Sequence, residues 1–170
     1  LTKKYEKWYD MFKRSYAESK DKKFPTYMGC SVCDEWHDFQ NFGEWWDKNY
    51  KDYMKDWHLD KDILIKNNKI YSPETCAFVP YEINGIFTKS DKVRGELPIG
   101  VSMDSNSFKA SVNMGSGKRY NSNHKTKEEA FYVYKKVKEN YLKEVADKWK
   151  GLISDKVYQA MYNYKVEITD

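Results

Sequence analysis

A chain of 170 residues with 40% apolar and 33% charged side chains has room for one domain or two small ones, and it is globular rather than disordered. A net charge of +4 is too small for the chain as a whole to argue for a polyanionic partner. No apolar run approaches the ~20 residues that a membrane helix needs. No signal-peptide pattern opens the chain, and three cysteines in that setting imply a reducing compartment, so the expectation is a cytoplasmic protein with no membrane partner.

Residues 3–18 predict an amphipathic helix, because Tyr5, Trp8, Tyr9, Phe12 and Tyr16 recur at three- and four-residue spacing between charged residues. Lys20 to Pro25 is a polar break. Ser31 or Asp34 is the expected cap of a second helix carrying Trp36, Phe39, Phe42 and Trp46. With 15 Tyr and 6 Trp in the chain, most aromatic rings are expected in the core, and these two helices read as a support layer. Residues 57–65 predict a strand and Lys66-Asn67-Asn68-Lys69 a hairpin tip, since Asn tolerates the left-handed backbone of such turns, with Ile70 and Tyr71 starting the return strand. Ser72-Pro73-Glu74-Thr75 has the form of a helix start, and Pro80 marks another, with Ile83 and Asn84 one turn further on.

Residues 86–97 form a basic connector. Three short strands are expected at residues 99–103, 108–114 and 118–121, separated by the turn-forming runs 104–107 and 115–117. Thr126-Lys127-Glu128-Glu129 is a capping box. The long helix behind it is expected to bury Ala130, Phe131, Tyr134, Val137, Tyr141 and Val145. Gly151 interrupts it, and a last helix presents Leu152, Ile153, Val157, Met161 and Tyr164. The expected fold is therefore α+β: aromatic helices first, a central ββα-like motif, then a three-stranded antiparallel sheet packed by a long C-terminal helix. The expected division is residues 1–86, a linker at 87–98, and residues 99–170.

The chemistry-bearing run is His58-Leu59-Asp60-Lys61-Asp62-Ile63, followed after the turn by residues 71–84. A carboxylate leaving a first strand and an amide on a following helix are hard oxygen donors that suit one Mg²⁺ or Mn²⁺. Such an ion polarises a phosphodiester and stabilises its leaving oxygen. Leu-Asp-Lys-Asp-Ile, then Tyr-Ser-Pro-Glu-Thr-Cys, then Phe-Val-Pro and Ile-Asn together resemble the ββα-metal core of phage-type HNH endonucleases and their homing relatives. The lead-in Ser31-Val32-Cys33-Asp34-Glu35-Trp36 with Phe39 and Phe42 resembles theirs as well. The resemblance implies metal ligation by Asp60 and Asn84. The general base of that family is a His just after the Asp, where this chain has Lys61, a poor base at its ordinary pKa of about 10.4. His58 and Asp62, spaced to alternate with Asp60 on a strand, are the other candidate catalytic residues. Cys30-x-x-Cys33 has zinc-ligand spacing but only Cys76 and His37 to complete a set, so no structural zinc is expected.

Between residues 85 and 127, eight Lys or Arg face three Asp or Glu, a local basic excess suited to a phosphate backbone. Alternation in 108–113 puts Phe108, Ala110 and Val112 on one face and Lys109, Ser111 and Asn113 on the other. Gly100-Val101, Phe108-Lys109-Ala110 and Thr126-Lys127-Glu128-Glu129-Ala130-Phe131 with Tyr134 resemble the ethylene-response-factor (Apetala-type) DNA-binding domain. This resemblance implies that the polar face, with Lys118, Arg119 and the connector's Arg94, engages double-stranded DNA. The combined reading is a metal-dependent HNH DNA endonuclease that cleaves or nicks duplex DNA as a monomer. The alternatives are a DNA-binding protein that has lost catalysis and a phage accessory protein that binds and inhibits a host protein through exposed aromatics.

Overall fold

The computed structural model describes residues 2–17, 27–87 and 95–170. Within them the chain is α+β, with five α-helices, two small two-stranded pairings and one three-stranded antiparallel sheet. The polar break at Lys20–Pro25 and most of the basic connector, with Lys89, Lys92 and Arg94, fall outside the described residues. Two compact units divide the chain, Leu1–Tyr81 and Glu82–Asp170.

In the first unit, helix α1 (Lys3–Tyr16) is capped by Thr2, whose hydroxyl accepts from the Tyr5 amide at 3.3 Å. Its aromatic stripe meets the start of the next helical segment, where the Trp8 indole donates to the Trp36 carbonyl at 2.8 Å. Helix α2 (Phe39–Asn49) is capped not by Ser31 or Asp34 but by Asp38, which accepts from Gln40 at 2.8 Å. Ser31 instead lies in strand β1 (Ser31–Val32), and Asp34 opens a 3-10 turn, Asp34–His37. Phe42 and Trp46 of α2 are buried, with ring centroids 5.1 Å from Trp36 and 4.9 Å from Phe78 respectively.

The predicted hairpin does not form. Strand β2 is short (His58–Asp60) and pairs antiparallel with β4 (Ala77–Val79), whereas β3 (Ile70–Tyr71) pairs parallel with β1. The strand expected through residue 65 ends at Asp60 because its carboxylate turns back to take two backbone amides (below). Asn67 does adopt the left-handed backbone, with φ +63°. Ser72-Pro73 starts a turn rather than a helix. Thr75 Oγ1 accepts from the Ser72 amide and donates to the Ile70 carbonyl at 2.7 Å, and the Cys76 amide returns to the Ser72 carbonyl at 3.0 Å. Helix α3 (Tyr81–Ile86) does follow Pro80.

The second unit takes up α3 through Glu82, whose carboxylate accepts from Lys148 and from the Trp149 indole at 2.8 Å. Its sheet runs β5 (Val101–Asp104), β6 (Ser107–Asn113), β7 (Arg119–His124), all antiparallel. Helix α4 (Lys127–Lys148) backs it, and a shorter α5 (Asp155–Tyr162) follows with Ser154 as its cap. The capping box forms with its return bond shifted by one residue: Thr126 accepts from Glu129, and Glu129 accepts from Lys125 rather than Thr126. Val101, Ala110 and Val112 from the sheet, Ala130 and Tyr134 from α4, and Val166 from the tail make one buried cluster. Gly100 stands where the ring of Tyr134 crosses the chain. Its φ is +74°, and a Cβ there would sit 1.9 Å from the Tyr134 ring.

Gly100→Ala is therefore expected to cost about 3 kcal/mol, left-handed strain and overpacking together. Gly117→Ala, at φ +75° with open space around it, carries only the strain, about 1 kcal/mol. Denaturant melts of the two variants check the difference.

A second expectation concerns Lys138 on α4, whose ammonium donates to the Ile86 carbonyl at 2.8 Å and whose pKa burial pushes down to about 8. Below pH 8 the folded chain holds that charge partly desolvated. From about 8 up to the ordinary 10.5 it binds fewer protons than the unfolded chain, so this residue's contribution to stability rises with pH. Lys138→Met should thus raise Tm more at pH 7 than at pH 9.5, as scanning calorimetry at the two values would register.

Candidate functional site

The central segment is built around Asp60. Its Oδ1 accepts from the backbone amides of Asp62 at 2.9 Å and Ile63 at 2.7 Å, which closes a turn directly after β2. Burial and the neighbouring Asp62 charge push its pKa up to about 6, against the pull of those two amides. Asp62 lies in the turn itself, so the expected alternation of Asp62 with His58 and Asp60 along one strand is not what the chain forms.

Lys61 is buried rather than turned to solvent or phosphate. Its ammonium donates to Asp62 Oδ2 at 3.0 Å and to the Asn68 carbonyl at 3.3 Å, with the rings of Tyr27 and Tyr71 5.7 and 5.8 Å away. Burial, the largest influence, pulls its pKa down, but the Asp62 carboxylate together with Cys30 and Asp60 holds it above the usual lysine value. A lysine so held stays protonated at neutral pH and does not serve as a general base. Asn68 completes the loop: its amide donates to the Lys61 and Ile70 carbonyls at 2.6 and 2.7 Å.

His58 shares the cross-strand rung with Val79, and its ring centre is 5.8 Å from that of Tyr81. Burial, then the charges of Lys7 and Arg14, lower its pKa, so the imidazole is neutral at pH 7. The cavity beside it, lined by Lys7, Asp10, Arg14 and Tyr71 among others, has a volume of about 20 Å³, room for a water molecule and no more. Asn84 belongs to α3 in the second unit. Among the described residues no three His, Cys, Asp or Glu side chains gather as a metal site, and Asp60 has one of its two oxygens committed to backbone. Asp60, Lys61, Asp62 and Asn68 make a well-satisfied turn.

The second unit offers a surface of another kind. The register places Ser102, Lys109 and Asn123 on one rung, Ser111 and Asn121 on the next, and Asn113 and Arg119 on the last. By strand alternation all seven project to the face opposite Val101, Ala110 and Val112. Asp104, at the edge of this face, accepts from Asn123 at 3.3 Å and lies 3.9 Å from the Lys109 ammonium. Ser111 donates to Asn121 Oδ1 at 2.8 Å and accepts from Arg119 at 3.4 Å. Lys109, Ser111, Asn113 and Arg119 thus stand on the face expected of them. Lys118 sits one residue before β7, in the exposed turn that its carbonyl closes with the Met114 amide at 2.9 Å. Arg94 lies outside the described residues.

Ser102, Asn121 and Asn123 were not anticipated. The third strand runs to His124 rather than ending at Asn121, and the alternation of Arg119, Asn121 and Asn123 against Tyr120, Ser122 and His124 was the available signal. An open depression of about 460 Å³ lies at the end of this sheet, lined by Asn106, Ser107, Asn123, His124, Lys125 and Glu129. The larger of these two concavities is therefore beside the polar sheet face, not beside His58. No protein-family model, curated protein or solved structure matches this chain.

Asp60→Ala is expected to lose about 1–3 kcal/mol, since it strips two backbone amides of their acceptor. Asp60→Asn keeps the Oδ1 acceptor and should stay within about 1 kcal/mol of the parent. Chemical denaturation of the pair separates the turn-capping role from a requirement for charge.

Proposed function

We propose that this chain is a double-stranded-DNA-binding protein that holds the duplex on the outer face of its three-stranded sheet. The observation that carries the reading is a sheet face made wholly of Ser, Asn, Lys, Arg and Asp side chains, backed by a face committed to α4. A small antiparallel sheet fits a DNA groove, amides and hydroxyls match base edges, and exposed cations match phosphates. Lys118, Arg119 and Lys125 at the sheet's rim supply positive charge with the duplex as its natural counterpart.

Replacing Lys109 and Lys118 by Ala should weaken binding to any duplex, with little change in Tm. The slope of log affinity against log salt should fall by about 0.9 for each phosphate that is no longer neutralised. Fluorescence anisotropy across a salt titration measures both. Identical titration curves for variant and parent would show that this face does not meet DNA.

The HNH-type reading, cleavage or nicking with Mg²⁺ or Mn²⁺, is supported by one feature: β2, its antiparallel partner β4, and α3 directly behind keep the strand–strand–helix order of a ββα motif. Against it stand a protonated Lys61, a turn-capping Asp60 and a water-sized cavity at His58. Supercoiled plasmid incubated with either ion is expected to remain supercoiled. Nicking by the parent chain that disappears in Asp60→Asn, which keeps the turn, would establish the nuclease instead.

A further inference from the structure

The amides on the sheet face are not interchangeable, because each has one end already spent on a partner that fixes which end it is. Arg119 can only donate, so the Ser111 oxygen accepts from it and the single Ser111 proton must go onward. That proton goes to Asn121 at 2.8 Å, which fixes the Asn121 oxygen inward and leaves its NH₂ group for a ligand. Asn113 Oδ1 accepts from the Gly115 backbone amide at 3.0 Å, which again makes NH₂ the end without a partner. Asn123 is oriented the other way. Its NH₂ gives one of its two protons to the Asp104 carboxylate, which can only accept, so its oxygen is the end without a partner.

Resting on the DNA-binding reading above, we infer that this sheet is a polarised base reader, with donors at the Asn113–Arg119 and Asn121 rungs and an acceptor at the Asn123 rung. An unconstrained Asn reads adenine by donating to N7 while accepting from the N6 amine. The Asn113 and Asn121 oxygens are already turned to Gly115 and Ser111, so the second of those bonds would have to share an oxygen that is engaged, while their NH₂ groups have no partner. They fit guanine, whose major-groove edge offers N7 and O6 as acceptors and no amine, and Arg119 beside them fits guanine for the same reason. The Asn123 oxygen, with Asp104 next to it, fits the exocyclic amine of cytosine or adenine. Successive rungs on one face are two residues apart, about 6.7 Å, close to two base-pair steps of about 3.4 Å. The preferred duplex is thus one with guanines two steps apart on the donor side and an amine-bearing base about two steps beyond.

Selection of binding sites from a random duplex library, run with the parent chain and with Ser111→Ala, tests this. The parent should enrich guanine at two such positions, and 7-deazaguanine there should weaken binding by about tenfold, because it removes the N7 acceptor. Ser111→Ala releases the Asn121 oxygen, so among the sequences it selects the middle position should switch from guanine to adenine, whatever the variant's overall affinity for duplex. Sequence-selective binding without guanine at these positions, or a middle-position preference that ignores Ser111→Ala, would overturn the polarised reader and leave the DNA-binding reading standing. Absence of binding to any duplex would remove both.

Discussion

Tyr134 lies across the backbone of Gly100, and the two-faced character of the sheet follows from that contact. The ring leaves no room for a side chain at Gly100, whose carbonyl still accepts the Ser111 amide at 2.9 Å. The start of β5 is therefore pressed against α4, and Val101, Ala110 and Val112 are sealed beneath it. With one face of β6 consumed in that way, strand alternation sends Lys109, Ser111 and Asn113 to the other. The polar surface is a by-product of how tightly the opposite one packs.

The outer face is also arranged before any ligand arrives. The Arg119–Ser111–Asn121 relay and the Asn123–Asp104 bond hold side chains that would otherwise sample several rotamers, each of which costs about 0.5–1.5 kcal/mol to immobilise on association. Asp104 has a second effect. It stands 3.9 Å from Lys109 and tempers that cation in the middle of the sheet, leaving Arg119 and Lys118 at one end with the least compensated charge. On the proposed reading, phosphate attraction is concentrated at that end, and the neutral amides in between are left to discriminate among bases.

The second unit was largely legible in the sequence. Alternation over 108–113 and the capping box at Thr126 are local signals, and both elements form where those signals lie. The end of β7 was not legible, because Asn, Ser and His are weak strand formers and an Asn-Ser-Asn-His run has the composition of a turn. Cross-strand pairing with Phe108 to Asn113 overrides that preference, and with the end of the strand Asn123 went unseen. The first unit misled for a different reason. Ile70-Tyr71 pairs with Ser31-Val32, nearly forty residues away and parallel, and local pattern carries no trace of such a partner.

The loop between β2 and β3 shows how a chemistry-bearing motif serves structure. A short loop after a three-residue strand needs its amides and carbonyls satisfied, and here polar side chains do this from within. Asp60 takes the amides of Asp62 and Ile63, and Asn68 donates to the carbonyls of Lys61 and Ile70. Lys61 then closes the loop from inside, with its charge matched by Asp62 and flanked by two tyrosine rings. Histidine at that position would be shorter, largely neutral at pH 7, and unable to reach both Asp62 and the Asn68 carbonyl with a charged donor. A buried ammonium with these partners is a reason for lysine that involves no catalysis. The residue that departs from the nuclease pattern is thus the one that ties the loop together.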